Sequence, residues 1–179
     1  TYGKAGAGKS TLNRLELTPA EPTEAELRYK KIIMKPDEID RLFVDIFLQA
    51  HADAPEEIVL DVDATDDPLY GNQEGRFFHG YYDEYCFLPL YVTCGQQLLV
   101  AYLRPANIDA AHHSRAILKL LVKRFREVWP GVKILLRADS GFCRDELMVW
   151  CELNAVKYLF GLARNPVLER KLAAGLAQA

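Results

Sequence analysis

Two apolar runs in this chain end on carboxylates. Ile58-Val-Leu-Asp-Val-Asp-Ala-Thr65 carries Asp61 and Asp63, and Ile134-Leu-Leu-Arg-Ala-Asp-Ser-Gly-Phe142 carries Asp139. Read with a period of two, Ile58, Leu60 and Val62 share one face of a strand and Asp61 and Asp63 lie on the other. In the second run Val132, Ile134, Leu136 and Ala138 share a face, opposite Arg137 and Asp139. Carboxylates gathered at the ends of buried strands repel one another and lose hydration, which is unfavourable unless a divalent cation sits between them. The pattern therefore proposes a metal site. The competing reading makes Asp63 and Asp139 helix-capping or turn residues that follow strands.

The elements that would position these acids can be read from periodicity. A helix is expected after Pro36, capped by Asp37, with Ile39, Leu42, Phe43, Ile46 and Phe47 at helical spacing up to Ala50. The first acidic strand follows, then a loop marked by Asp66-Asp67-Pro68 and Gly71-Asn72. Two antiparallel strands are expected in Phe77–Val92 and Leu98–Leu103, joined through Cys94-Gly95. Asn107 or Asp109 is expected to cap a long helix with Ile117, Leu118, Leu121, Val122, Phe125 and Val128 inward, ended by Pro130-Gly131. After the second acidic strand, Asp139 or Ser140 caps a helix with Leu147, Val149, Trp150 and Leu153 inward, and Tyr158 to Leu162 reads as a last strand. Three strands, a crossover helix, a strand, a helix and a strand make a mixed α/β sheet, an order found in ribonuclease-H-like sheets. Residues 1–36 read as a linker or arm, 37–170 as the core and 171–179 as a truncated helical tail; the chain reads as a fragment of something longer.

Composition narrows the function. With 179 residues, half of them hydrophobic, the chain can bury the core of one domain. Its net charge of -3 advertises no overall basic field for nucleic acid, although basic groups cluster locally at Arg28, Lys30, Lys31 and Lys35, at Lys119, Lys123, Arg124 and Arg126, and at Arg164, Arg170 and Lys171. Cys86, Cys94, Cys143 and Cys151 lack the spacing of a structural zinc site and read as free thiols. No secretory signal or membrane-length apolar span appears, so a cytoplasmic protein without membrane contact is expected. Gly3-Lys-Ala-Gly-Ala-Gly-Lys-Ser10 matches a Walker A pattern, but only two residues precede it and Pro19 and Pro22 soon break any helix, so the flanking strand and helix of a phosphate loop are not supplied. His112 and His113, if helical, point about 100° apart and cannot ligate one metal. His79, Asp83 and Gln73 read as strand or turn residues beside the cleft, Arg137 as a salt-bridge or phosphate contact, and the aromatic run Phe77 to Phe87 as strand core.

Several segments in order resemble the catalytic core of bacterial insertion-sequence transposases of the DDE class. They are Ile58–Gly75, Phe77–Asp83, Leu88–Tyr91, Arg137–Phe142 and Gly161–Asn165, with Lys9–Glu16 similar to the stretch ahead of that core. The resemblance implies a ribonuclease-H-like fold and metal-dependent DNA cleavage and strand transfer. It places the first two catalytic carboxylates on Asp63 and Asp139, with Asp61 as the fallback for the first. A third, a Glu, is expected well downstream; Glu169 is too close to the last strand to match it. The implied cofactor is Mg²⁺ or Mn²⁺, two ions about 4 Å apart in the complete site. The implied partners are DNA, as terminal inverted repeats and target, and a second copy in a homodimeric synaptic complex. Two rivals share the fold: another two-metal nuclease, and an inactive truncated remnant.

Overall fold

The computed structural model describes residues 21, 23–27 and 35–176. The Walker-type segment, Lys9–Glu16 and the basic run Arg28 to Lys31 lie outside the described residues. The chain forms two compact units, Thr1–Leu42 and Phe43–Ala179. In the first, the described residues are a helical turn, Glu24–Leu27, and the start of α1 (Pro36–Gln49). Pro36 occupies the first helical position, where its missing N–H costs nothing. Asp37 thus lies inside the first turn rather than capping it, and with Glu38 complements the helix dipole.

In the second unit Val44, Phe47 and Leu48 of α1 enter the core, whereas Ile46 is exposed. The chain continues through β1 (Glu57–Ala64), β2 (Asp67–Pro68), β3 (Phe77–His79), β4 (Glu84–Phe87), β5 (Leu90–Cys94) and β6 (Gln97–Tyr102). Then come α2 (Ser114–Val128), β7 (Lys133–Ala138), a 3-10 turn (Ser140–Phe142), α3 (Asp145–Leu153), β8 (Lys157–Phe160) and α4 (Pro166–Leu176). Five strands form one sheet in the order β6-β5-β1-β7-β8. β1, β5 and β6 pair antiparallel, whereas β1–β7 and β7–β8 are parallel. This is the expected ribonuclease-H-like mixed sheet. Ile58, Leu60 and Val62 of β1 and Ile134 and Leu136 of β7 are buried with Leu118, Leu121, Val122 and Phe125 of α2 and Leu147 and Cys151 of α3 in one core. Alternation in the central strands thus turns Asp61, Asp63, Arg137 and Asp139 away from that core.

The expected strand over Phe77–Val92 is three strands in two sheets. Asp83 adopts a left-handed conformation (φ 57°) in the turn between β3 and β4, and Pro89 offers no N–H to a ladder. β3 and β4 join β2 in a separate three-stranded sheet, and only β5 enters the main one. Phe78 and Tyr85 meet edge to face there (5.6 Å) yet stay half exposed, so these aromatics are not the buried strand core expected of them.

The helices differ in phase from expectation. α2 starts at Ser114, after His113 in a left-handed conformation (φ 65°), rather than behind an Asn107 or Asp109 cap. Asp109 instead closes a turn by accepting from the Ala111 amide (2.9 Å). Trp129, 6% exposed, fills the inward position expected of Val128. In α3, Leu147, Trp150 and Cys151 pack inward at i, i+3, i+4 spacing, whereas Val149, two residues past Leu147, and Leu153 face solvent.

Candidate active site

β1 and β7 are neighbours and parallel, with Asp61 opposite Arg137 and Val62 opposite Ala138. One rung further along each strand are Asp63 and Asp139. Neighbouring strands lie about 4.8 Å apart, so this register brings Asp63 and Asp139 to the same end of two adjacent strands. The charge chemistry of the two rungs differs. Arg137 binds Asp61 in a bidentate pair, Nε to Oδ1 at 2.5 Å and Nη2 to Oδ2 at 2.9 Å. That pairing raises the Arg137 pKa, by hydrogen bond and by charge, and commits the guanidinium to Asp61 rather than to a phosphate. Asp61→Asn is expected to leave metal uptake by the chain unchanged with a small drop in Tm; loss of uptake would make Asp61 the β1 ligand.

Asp63 and Asp139 have no cationic partner among the described residues, and both are exposed. Asp139 sits just past β7 as cap of the 3-10 turn, its Oδ1 accepting from the Gly141 amide at 2.8 Å. That bond uses one oxygen and fixes the side chain. Both the capping reading and the ligand reading of Asp139 are therefore compatible with one geometry. Two exposed carboxylates at the same end of two central strands suit a hard divalent cation, which prefers oxygen donors. Among the described residues no group of three or more His, Cys, Asp or Glu side chains is arranged to hold a metal. The pair is a candidate for two ligands of a larger site.

Tyr82 was not singled out as a site residue from the sequence. Its hydroxyl donates weakly to the Ala64 carbonyl (3.5 Å), and its ring packs beside Cys86, Leu88 and Ala106. Burial raises its pKa, and the charges of Asp66, Asp63 and Asp139 push the same way, so the phenol stays protonated beside the acids. Only the folded turn after β3 brings it there; position in an aromatic run carries no such signal. Among the other candidates, His79 ends β3 against Tyr82 (ring centroids 4.9 Å), Asp83 is the left-handed turn residue and Gln73 is exposed in a loop. His112 and His113 precede α2 rather than lying on it, and their rings are in contact (4.0 Å). Glu169 lies on α4. Arg124 pairs with Asp45 (2.9 Å) and Arg126 donates to the Ala155 carbonyl (3.1 Å), so these groups of the α2 basic cluster serve packing.

The segment behind Asp139 is tied to the loop ahead of α2 by Arg144, which donates to Asp109 (2.7 Å). Burial alone would raise the Asp109 pKa. Hydrogen bonds from Arg144 and the Ala111 amide, with the charges of Arg144 and His112, outweigh it and hold the pKa below the ordinary carboxylate range. A carboxyl depressed on folding contributes stability above its unfolded pKa, and that contribution fades as pH falls through the folded value. The fall in Tm between about pH 5 and about pH 3 is therefore expected to be smaller in Asp109→Asn than in wild type, read by calorimetry. An equal fall would show that the pair does not couple to folding.

The described residues include no helix long and apolar enough to cross a membrane. A family model described as "Transposase DDE domain group 1" matches residues 2–179. No curated protein sequence matches the chain. Among solved structures, the chain is similar to the catalytic domain of the Mos1 mariner transposase, at 12% identity and a TM-score of 0.44 over 90% of this chain and 76% of that one. It is similar to the piggyBac transposase of a synaptic complex with hairpin DNA, at 12% identity and TM-score 0.41 over 74% of this chain and 29% of that one. It is also similar to the Mos1 transposase in a paired-end complex, at 12% identity and TM-score 0.40, spanning about half (53%) of that chain.

Proposed function

Because the chain belongs to the family of transposase DDE domains, we propose that it forms the core of a metal-dependent DNA-cleaving and strand-transferring site in which Asp63 and Asp139 are the first two carboxylates. The observation that supports the assignment is the parallel β1–β7 register: Asp61 faces Arg137 and Val62 faces Ala138, so Asp63 and Asp139 follow two positions past the Asp61–Arg137 pair. Asp61 is committed to that pair, which favours Asp63 as the ligand from β1. The third carboxylate in this reading is a Glu, and among the described residues no third acidic side chain is arranged with Asp63 and Asp139 to hold a metal. Residues 37–170 are the core in this reading and residues 1–36 an arm before it.

Divalent cations, Mg²⁺ or Mn²⁺ and two in the complete site, supply Lewis-acid polarisation of phosphoryl oxygen and lower the pKa of the attacking water or 3′-hydroxyl. The protein's own part is placement. Asp63 and Asp139 present negative oxygen at the ends of two central strands, the Gly141 amide donates to Asp139 Oδ1, and the protonated Tyr82 phenol lies within reach of their charges. Displacement at phosphorus needs little covalent chemistry from side chains, so positioning and charge account for most of the rate. The substrates are the terminal inverted repeats of a mobile element and its target DNA, brought together by a homodimer in the cytoplasm. Phosphate contacts from Lys and Arg make binding strongly salt-dependent.

The test is Mn²⁺ uptake by the chain, followed by electron paramagnetic resonance. Saturable binding is expected in wild type and loss of it in Asp63→Asn and in Asp139→Asn. Binding that survives both substitutions would move the site elsewhere; no binding in wild type would favour an inactive remnant.

A further inference from the structure

We propose that Gly161 is the positioning residue of Asp139, a role that rests on the metal-site reading of that carboxylate. β7 and β8 run parallel, with Leu135 opposite Lys157 through Ala138 opposite Phe160. The next rung is Asp139 and Gly161, and the Gly161 amide extends the ladder by donating to the Ala138 carbonyl at 2.9 Å. Asp139 thus lies between Asp63 on one side and Gly161 on the other.

The contact on the Gly161 side leaves no room for a side chain. A Cβ at residue 161 would lie 2.9 Å from the Ser140 amide nitrogen, 3.2 Å from the Asp139 carbonyl carbon and 3.4 Å from the Asp139 Cα. All three are backbone atoms, so rotation of a flexible side chain cannot relieve the overlap. Gly161 is not among the glycines with positive φ, which are Gly71, Gly75 and Gly95. What the position demands is therefore space, not unusual backbone freedom.

The peptide that presses on Gly161 joins Asp139 to Ser140. It sets the direction of the Asp139 side chain and starts the 3-10 turn whose Gly141 amide holds Oδ1. Displacing it moves the carboxylate and its hydrogen bond together. β8 is the last strand of the sheet and pairs only with β7, so it can yield to an added methyl group without the sheet coming apart.

The experiment compares the chain with Gly161→Ala and with Gly131→Ala, a control near the opposite end of β7 where a Cβ meets nothing within 4 Å. Two readouts are taken, the Gly141 amide resonance without metal and the Mn²⁺ affinity. The resonance is expected to shift in Gly161→Ala and in Asp139→Asn but not in Gly131→Ala. Mn²⁺ affinity is expected to fall roughly 10–100-fold in Gly161→Ala, as when a ligand loses the neighbour that orients it. An unmoved Gly141 resonance with unchanged affinity would overturn the proposal. So would a Gly161→Ala chain that does not fold while Gly131→Ala does, since the glycine would then serve the sheet as a whole. If wild type takes up no Mn²⁺ that Asp139→Asn abolishes, the metal-site reading fails, and the Gly141 resonance still decides whether Gly161 orients the carboxylate.

Discussion

In a protein that completes the site with its third carboxylate, Asp139→Asn is expected to lower Mn²⁺-dependent nicking of supercoiled plasmid DNA by about a thousandfold or more, with the fold intact. The substitution is nearly isosteric, and the asparagine oxygen can still accept from the Gly141 amide at the position of Oδ1. What it removes is the charge. A metal ligand at a phosphoryl-transfer site supports several kcal/mol of transition-state stabilisation, and about 4 kcal/mol corresponds to roughly three powers of ten in rate. Stability should not fall, because removing one of two neighbouring carboxylates relieves their repulsion in the metal-free protein. Asp63→Asn should cost as much, and the double variant little more than either, since ligands of one site act as a unit. Retention of substantial nicking by Asp139→Asn, at unchanged Tm, would remove Asp139 from the site.

Arg104→Leu should be the most destabilising single change described. Arg104 is 1% exposed, a cation inside the fold with no carboxylate bonded to it. Its Nε donates to the Leu88 carbonyl at 2.8 Å, and Nη1 donates to the carbonyls of Ala110 (3.0 Å) and His112 (2.6 Å). Burial lowers its pKa, opposed by the charges of Asp109 and Tyr102. Leucine would recover apolar burial and remove the cost of desolvating a guanidinium with one nitrogen, Nη2, left unpaired. It would also strip a donor from three carbonyls. Each hydrogen bond to a charged donor contributes about 1.5–3 kcal/mol, so the carbonyls win and a net loss of about 3–5 kcal/mol is expected. For a domain of this size that is roughly 6–20 °C in Tm, and urea unfolding would read it as a lower midpoint at constant m. Arg104→Lys should recover only part, because one ammonium cannot span acceptors on both sides of the loop. A Leu variant as stable as wild type would show that the clasp only balances its desolvation.

The central strands were legible because their residues alternate. Ile58, Leu60 and Val62 against Asp61 and Asp63 permit one register with the core inside, and the same holds for Ile134 and Leu136 against Arg137. Once both strands were read, their acids could be assigned to one face. The hairpin of β3 and β4 was not legible, because an apolar aromatic run hides a left-handed residue, Asp83, that nothing in its neighbours demands. Helix phase failed in α3, where Val149 lies two residues past Leu147 and so falls off the i, i+3, i+4 face taken by Leu147, Trp150 and Cys151. Arg104 was unreadable for a different reason: an arginine between apolar residues is expected at the surface, and its carbonyl partners come from two segments, Leu88 after β4 and Ala110 and His112 ahead of α2. Gly161 belongs with it, since its closeness to Ser140 follows from strand pairing and leaves no local pattern.

The parallel pairing of β1 with β7 also bears on how the protein is made. The Asp61–Arg137 rung, two short of Asp63 and Asp139, joins residues 76 positions apart. At a synthesis rate of about 5–20 residues per second, the first acidic strand exists for roughly 4–15 s before the second leaves the ribosome. During that interval the nascent chain holds one half of its site and cannot position a phosphate for attack. The pairing of the two proposed carboxylates thus arrives with the long-range closure of the sheet, a late event in the life of each molecule, and incomplete translation products begin without it.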